Sequence, residues 1–456
     1  MDTPTAAAAM QGRAMGPAVA FERVATDTRT LQPGDLFVAL KGERFDGHDF
    51  VADALRQGAV AALVDEAHAN AFDGALIAVP DTLRALGALA AHWRRRVDLP
   101  VVAISGSNGK TSTKEMLAAV FRAAVGSGRV AATSGNLNNE IGVPLTVLTL
   151  RAHHRLAVFE LGMNHRGETR ALAAIVAPSI ALVTNAQREH QEFMRSVAEV
   201  AEEHADAVAA LPPGGVAVVN ADDPHAEVWR TAARSARATV ATFGLARGAD
   251  VGGSFELHAD RSEIEIRTPE GAFAVTLHVP GRHMVANALA AATAARAAGV
   301  THEAIARGLS AFRPLAGRLV PRTSTHGAVV IDDTYNANPD SVRAAIDVLA
   351  AAPGERWLAL GDMGEVGEQG PAFHREIGAY ARDFGVARLF AAGELAREAA
   401  QAFGEGATHY ESVDALAAAI ETAATRGVTV LVKGSRFMRM ERVVAALTGA
   451  AAGGAH

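Results

Sequence analysis

Between Val101 and Thr113 the chain reads VVAISGSNGKTST. An apolar run from Val101 to Ile104 empties into Gly106, Ser107, Asn108 and Gly109, and Lys110, Thr111 and Ser112 then open a segment of helical spacing. Residues of these types in this order suit phosphate. Glycines let the backbone approach an anion, successive N–H groups and a helix N-terminus attract it, a lysine reaches the terminal phosphates, and a threonine hydroxyl can ligate Mg²⁺. The spacing departs from the generic phosphate loop, since Ile104 stands five positions before Gly109. A chance Gly-Lys-Thr turn needs neither the strand before it nor the helix after it, so nucleoside triphosphate binding is the expectation. Glu160 closes the apolar run Leu156 to Phe159, and Asn185 follows the run Ile180 to Val183. Open α/β sheets bind ligands at such strand ends. A carboxylate emerging from a buried strand near phosphates is a candidate Mg²⁺ ligand. His190 carries no assignment by itself, because a loop histidine is ordinarily a surface residue.

These groups need a scaffold, and the hydrophobic rhythm supplies one. Residues 24 to 100 alternate short apolar runs (Leu36 to Leu40, Val60 to Val64, Leu76 to Val79) with helical patterns, as in a small α/β domain that closes near Trp93 and Pro100. From Val101 the runs at 101–104, 156–159, 180–183 and 216–219 are separated by Ala-rich amphipathic segments, the alternation of a mainly parallel sheet. Between Ser254 and Val279 the period switches to two around Pro269, Glu270 and Gly271, which predicts an antiparallel hairpin on the flank of that sheet. An Ala-rich helix from about His283 to Ala298 follows, then a linker from Phe312 to Arg318. A last βα series has strands near 329–331, 357–360, 389–391 and 428–432. The fold class is therefore α/β in three domains with boundaries at 1–99, 100–317 and 318–456. They are a small N-terminal α/β domain, a central parallel-sheet phosphate-loop ATPase domain and a C-terminal Rossmann-like domain.

Composition narrows the function. A net charge of −7 provides no basic surplus for nucleic acid or acidic membranes. The absence of cysteine excludes disulfides, thiolate metal sites and a cysteine nucleophile, and points to the cytoplasm. The Ala-rich opening from Met1 to Ala20 has no long apolar stretch, so neither a signal peptide nor membrane insertion is expected, and the segment reads as a frayed tail. Lys and Arg total 43, of which only Lys41, Lys110, Lys114 and Lys433 are lysine. In a chain so committed to arginine, a surviving lysine marks a place where a compact ammonium serves and a planar fork does not. Lys114 is the one expected to be incidental.

With these residues in view the chain resembles the Mur ligase family, across all three domains. The resemblance covers the shortened phosphate loop (Gly106, Ser107, Asn108, Gly109, Lys110, Thr111, Ser112) and extends to Glu160 and His190, which it implies as metal ligands beside Thr111. It implies adenine contact by Asn287, ribose and base contact by Asp333, Tyr335 and Asn336, and ATP contact by the linker Arg318. Lys110, Glu160, His190 and Arg318 are the implied catalytic set. Within the family, the stretches Thr26 to Arg29 and Pro33 to Asp49 are similar to the N-terminal domain of members that add D-alanyl-D-alanine. That implies UDP-sugar contacts by Thr28, Arg29, Lys41, Gly42, Asp46 and His48. Asn136, Asn138 and Asn139 resemble a loop for the muramyl peptide, and Gly361 to Glu365 with Lys433, Ser435 and Arg436 match C-terminal motifs, the last three read as substrate-binding.

The resemblance implies ATP-dependent amide ligation through an acyl phosphate. The cofactors would be ATP and Mg²⁺, the partners UDP-N-acetylmuramoyl-tripeptide and D-alanyl-D-alanine, and the protein a cytoplasmic monomer of peptidoglycan synthesis. The alternatives are another Mur-type or folylpolyglutamate-type ligase, or a phosphate-loop NTPase switch that ligates nothing. One departure stands out. The family commonly carries a carbamylated lysine some fourteen or fifteen residues after the metal-binding histidine, where this chain has His204 and no lysine between Lys114 and Lys433. Two readings stand open: the second metal site is absent and one Mg²⁺ suffices, or a neighbour substitutes, Glu202 or Glu203 by supplying the missing oxygen or His204 by hydrogen-bonding a metal-bound water.

Overall fold

The computed structural model describes residues 1–450. Apolar runs buried on both faces become parallel strands. The N-terminal sheet runs in the order Arg13–Met15, Leu76–Val79, Ala61–Asp65, Leu36–Val38, Val24–Ala25, and only Arg13–Met15 pairs antiparallel. The expected frayed tail is wrong. Thr3–Ala9 is a helix capped by Asp2, the Met1 ammonium donates to Phe21 O at 2.8 Å, and Ala6, Ala7 and Met10 are buried in this unit's core. Small alanine side chains let the short helix lie close to the sheet, which a reading of Ala-rich composition as a tail overlooks.

The central sheet is wholly parallel, in the order Thr239–Phe243, Val216–Asn220, Ile180–Val183, Val101–Ser105, Leu156–Glu160, Val130–Ala132. The phosphate-loop strand thus lies between the two strands that end at Glu160 and near Asn185. The flanking hairpin proves to be a separate three-stranded antiparallel sheet, Gly252–Leu257, Ser262–Thr268 and Gly271–Leu277. Its first strand has little apolar alternation, so its sequence pattern does not announce it. Buried Ile264, Ile266, Val275 and Leu277 join the core around the Ala-rich helix Arg282–Ala297, which is buried on nearly every face.

The C-terminal sheet runs Val320–Thr323, Val329–Asp333, Val428–Lys433, Glu355–Gly361, Arg388–Ala392, Ala407–Tyr410, parallel except at its first pair. The two outermost strands, both short edge strands, were not expected. One continuous apolar core joins the central unit to this one, from Leu289 and Phe312 to Leu319, Ile346 and Leu358. No helix among the described residues is long and apolar enough to cross a membrane.

Candidate functional site

The phosphate loop leaves its strand at the topological switch point of the central sheet. Gly106 takes φ +129° and Gly109 φ +84°, conformations that favour glycine, and a Cβ at either would collide, with Thr184 in one case and Asn287 in the other. Asn185 holds the loop open from beneath: its Oδ1 accepts from Asn108 N at 2.9 Å and its Nδ2 donates to Asn108 O at 3.0 Å. Helix Lys110–Val125 begins directly at the loop, so its unpaired N–H groups face the same space.

That space is a cavity of about 1300 Å³ between the central and C-terminal sheets. It is lined by Ser107 to Ser112, Asn138, Asn139, Glu160, His190 and Asn287 from the central unit, and by Arg318, Asp333, Tyr335, Asn336 and Lys433 from the other side. Arg318 donates to Thr111 Oγ1 at 3.0 Å and stacks on Tyr335 at 4.0 Å. Asp333 and Lys433 end adjacent parallel strands in register and pair at 2.5 Å, and Lys433 also donates to Asn336 O at 2.9 Å. The structure therefore places Lys433 with the implied nucleotide residues. Asn108 and Asn338 exchange amide hydrogen bonds across the two units at 3.2 and 3.0 Å.

Glu160 is 2 % exposed. Its Oε1 accepts from Thr111 Oγ1 at 3.0 Å and Asn138 Nδ2 at 2.8 Å, whereas Oε2 is buried with no hydrogen-bond partner among the described residues. A buried carboxylate oxygen left unpaired beside a threonine hydroxyl fits a hard divalent cation. His190, in the left-handed region at φ +49°, lies 2.6 Å through Nδ1 from Glu365 Oε2, which lowers the Glu365 pKa, and its Nε2 lies 3.7 Å from Glu189 Oε2.

Sequence reasoning missed Glu189. This carboxylate stands 3.4 Å from the Lys110 ammonium and 3.1 Å from His204 Nε2. Burial alone would raise its pKa, but Lys110 and the His204 hydrogen bond outweigh burial and hold it at about 2. His204 is fully buried, with Nδ1 2.9 Å from Ser105 Oγ, and burial lowers its pKa despite Glu189. Neither Glu202 nor Glu203 takes up the role expected of them. Both Glu203 oxygens accept backbone N–H groups, of Gly167 and Thr169 at 2.8 Å, at the start of helix Glu168–Val176, and Glu202 is exposed beside Arg166. One step along helix Val197–Ala209 turns Glu203 to the start of helix Glu168–Val176 while His204 faces Ser105 and Glu189. An acidic residue next to Lys110 in space leaves no signal in local spacing.

The remaining expected residues do not line this cavity. Gly106 accepts from the Lys110 ammonium through its carbonyl, and Asn136 is on the loop that carries Asn138. Ser435 donates to Ala337 O at 3.0 Å and accepts from Gly364 N at 2.7 Å, so it pins two loops, and Arg436 lies 3.5 Å from Glu441. In the N-terminal unit, Thr28 is half-buried and Gly42 exposed, Arg29 is exposed and paired with Asp27 at 2.6 Å, and Lys41 is exposed 3.8 Å from Asp46. His48 is buried: Nδ1 lies 2.6 Å from Asp46 Oδ1, Nε2 accepts from Asp65 N at 3.1 Å, and the ring stacks on His68. With both nitrogens engaged inside the protein, it shapes the Asp46 turn. Lys114 is also a correction, since the lysine read as incidental is fully buried.

Comparison with known proteins agrees with this geometry. Three family descriptions match in chain order: "Mur ligase family, catalytic domain" over residues 21–94, "Mur ligase middle domain" over 104–295 and "Mur ligase, glutamate ligase domain" over 317–436. The chain is 40% identical over 440 residues, 96% of each chain, to the UDP-N-acetylmuramoyl-tripeptide--D-alanyl-D-alanine ligase of Escherichia coli (strain K12). It is 35% identical, over 92% of each chain, to the Bacillus subtilis (strain 168) protein of the same name. Among solved structures, MurF from Acinetobacter baumannii superposes with a TM-score of 0.89 at 34% identity, covering 97% of this chain and 98% of that one. MurF ligase from Thermotoga maritima in complex with ADP gives 0.83 at 27% identity, covering 93% and 97%. The phosphate loop, the two-sided cavity and the full-length similarity agree: this chain belongs to the Mur ligase family.

Proposed function

We propose that this chain is an ATP-dependent amide ligase that joins D-alanyl-D-alanine to UDP-N-acetylmuramoyl-tripeptide in peptidoglycan synthesis. One observation carries the reading. The phosphate loop and the unpaired Glu160 oxygen face Arg318, Asp333 and Lys433 across one cavity, in a chain whose relatives bear that activity in their names. The units at 1–99, 100–317 and 318–456 then serve the UDP-sugar, ATP and ligation in turn, in a cytoplasmic monomer.

ATP sits with its phosphates on Gly106 to Ser112 and its adenosine toward Asn287, Asp333, Tyr335 and Asn336. A carboxylate oxygen of the tripeptide attacks the γ-phosphorus, the bond to the β–γ bridging oxygen breaks, and ADP leaves. The amine of D-alanyl-D-alanine then attacks the acyl carbon and gives up a proton, and phosphate departs with the former carboxylate oxygen. Both partners of the first step are anionic, so Lys110 and Arg318 act by offsetting repulsion and by orientation. Thr111, Glu160 and His190 would hold Mg²⁺, which supplies further charge neutralisation at the phosphates when bound. Glu189, itself held by His204, directs the Lys110 ammonium. The UDP-sugar is taken by the N-terminal unit around Thr28, Arg29, Lys41, Gly42 and Asp46, and the peptide by the loop of Asn136, Asn138 and Asn139, with Ser435 holding the loops of Ala337 and Gly364 in place.

Oxygen tracing tests this. With ¹⁸O in the terminal carboxylate of the tripeptide, one label per turnover must appear in inorganic phosphate. Unlabelled phosphate alongside ligated product would rule out the acyl phosphate.

A further inference from the structure

Lys114 is the lysine that no motif explains. It lies one turn beyond Lys110 on the same helix, with no exposed side-chain surface, in a chain that otherwise places 39 arginines among its 43 basic residues. A buried ammonium is costly and is often replaceable by an apolar residue without loss of stability, so its retention calls for a purpose. Its contacts are few. Nζ donates to Thr133 O at 2.9 Å and pairs with the neighbouring Glu115.

Thr133 is the junction. It is 2 % exposed, its N–H is held by Val158 O at 3.1 Å, and its Oγ1 accepts from Glu160 N at 3.0 Å. It also begins the loop that delivers Asn138, whose amide reaches Glu160 Oε1. The helix that carries the phosphate-binding lysine therefore grips Glu160 twice, directly through Thr111 on the carboxylate and indirectly through Lys114, Thr133 and the Glu160 backbone. Two attachments fix both the position and the direction of the side chain and leave only Oε2 unclaimed. A compact ammonium meets the Thr133 carbonyl and the Glu115 carboxylate from one point, which a planar arginine fork does not reproduce.

We infer that Lys114 is a positioning residue, which sets the Glu160 carboxylate for metal through Thr133 while touching neither nucleotide nor substrate. The inference rests on the reading of Glu160 as a metal ligand, and it adds a role for a residue outside the site.

The test measures Mn²⁺ binding by electron paramagnetic resonance, on the full chain saturated with the non-hydrolysable ATP analogue AMPPNP. Partners behind a metal ligand typically affect metal affinity by about 10- to 100-fold. Lys114→Met and Thr133→Val are each expected to weaken Mn²⁺ binding about 10-fold, and the double variant no more than the worse single one, because both cut one chain of contacts. Lys114→Gln, which restores an N–H for Thr133 O, should recover most of the loss. Glu160→Gln serves as the reference. If it weakens Mn²⁺ binding while the other two variants leave it unchanged, the inference is overturned and the metal assignment stands. If it too has no effect, the metal assignment fails and the inference falls with it. Should Lys114→Met not fold, Thr133→Val decides alone, an unchanged affinity counting against the inference.

Discussion

Arg188 clasps the two halves of the site, and removing it should open them. From the central unit its guanidinium reaches Asp340 at 2.7 Å and Glu376 at 2.6 Å, its backbone N–H reaches Asp340 at 2.9 Å, and its charge lies 5.1 Å over Phe373. The side chains of Arg188 and Asp340 are each 21% exposed and that of Glu376 33%, between the surface case, about 0–1 kcal/mol, and the buried case, about 3–5 kcal/mol for removing one partner. Arg343 stays 2.8 Å from Glu376 after the loss, which moderates the penalty. Arg188→Gln should therefore cost about 2 kcal/mol, roughly a 30-fold rise in the ratio of open to closed molecules. The residues that follow, Glu189 at Lys110 and His190 at Glu365, would lose their register, so kcat should fall with the closed population. A chain without cysteine allows dyes at Arg247→Cys and Glu405→Cys, both exposed, and the distance between them to be followed by energy transfer. An Arg188→Gln protein with the parent's distance distribution and kcat would refute the reasoning.

Lys110→Ala should abolish ligation with the fold intact by circular dichroism, and Lys110→Arg should rescue little, because the ammonium sits against Ser107 O at 3.1 Å and Glu189 at 3.4 Å as a point charge, a geometry that a planar fork does not reproduce. Bicarbonate added to a bicarbonate-free buffer at slightly acidic pH should not stimulate activity, since no lysine between Lys114 and Lys433 is there to be carbamylated; stimulation at constant pH and ionic strength would contradict this. Stability should fall below about pH 6.5, the ordinary histidine value. Burial lowers the pKa of His204, His283 and His374, so the unfolded chain takes up protons that the folded one refuses, and each contributes up to about 1.4 kcal/mol per pH unit until its folded pKa is reached. His374 Nε2 accepts from Met363 N at 3.0 Å and cannot be protonated without losing that bond, so His374→Gln should flatten the dependence of the urea midpoint on pH; an unchanged slope would count against it.

The parts of this protein that were legible in its sequence are those set by local chemistry. Strands buried on both faces, such as Val101–Ser105 and Val428–Lys433, are continuous apolar runs, and the phosphate loop is a contiguous string of residues. Edge strands such as Val320–Thr323, with its proline and arginine, bury little and carry no such run. The helix Thr3–Ala9 was misread because alanine is equally at home in a tail and in close packing. What the sequence hid is what tertiary folding assembles: Glu189 against Lys110 across 79 residues, Asn108 against Asn338 across 230, and Lys114 turned inward to Thr133. The orientation of Glu203 is of the same kind. Its neighbour His204 faces the site, and one step along a helix is enough to turn a carboxylate to another task.

The most direct test of the central claim is the stoichiometry of ATP use. With ATP, Mg²⁺, UDP-N-acetylmuramoyl-tripeptide and D-alanyl-D-alanine all present, ADP, phosphate and UDP-N-acetylmuramoyl-pentapeptide should form one to one to one, and omission of D-alanyl-D-alanine or of the tripeptide should stop sustained phosphate release. Steady ATP turnover with both omitted, or turnover that yields no pentapeptide, would contradict the account and leave a nucleotide switch in its place.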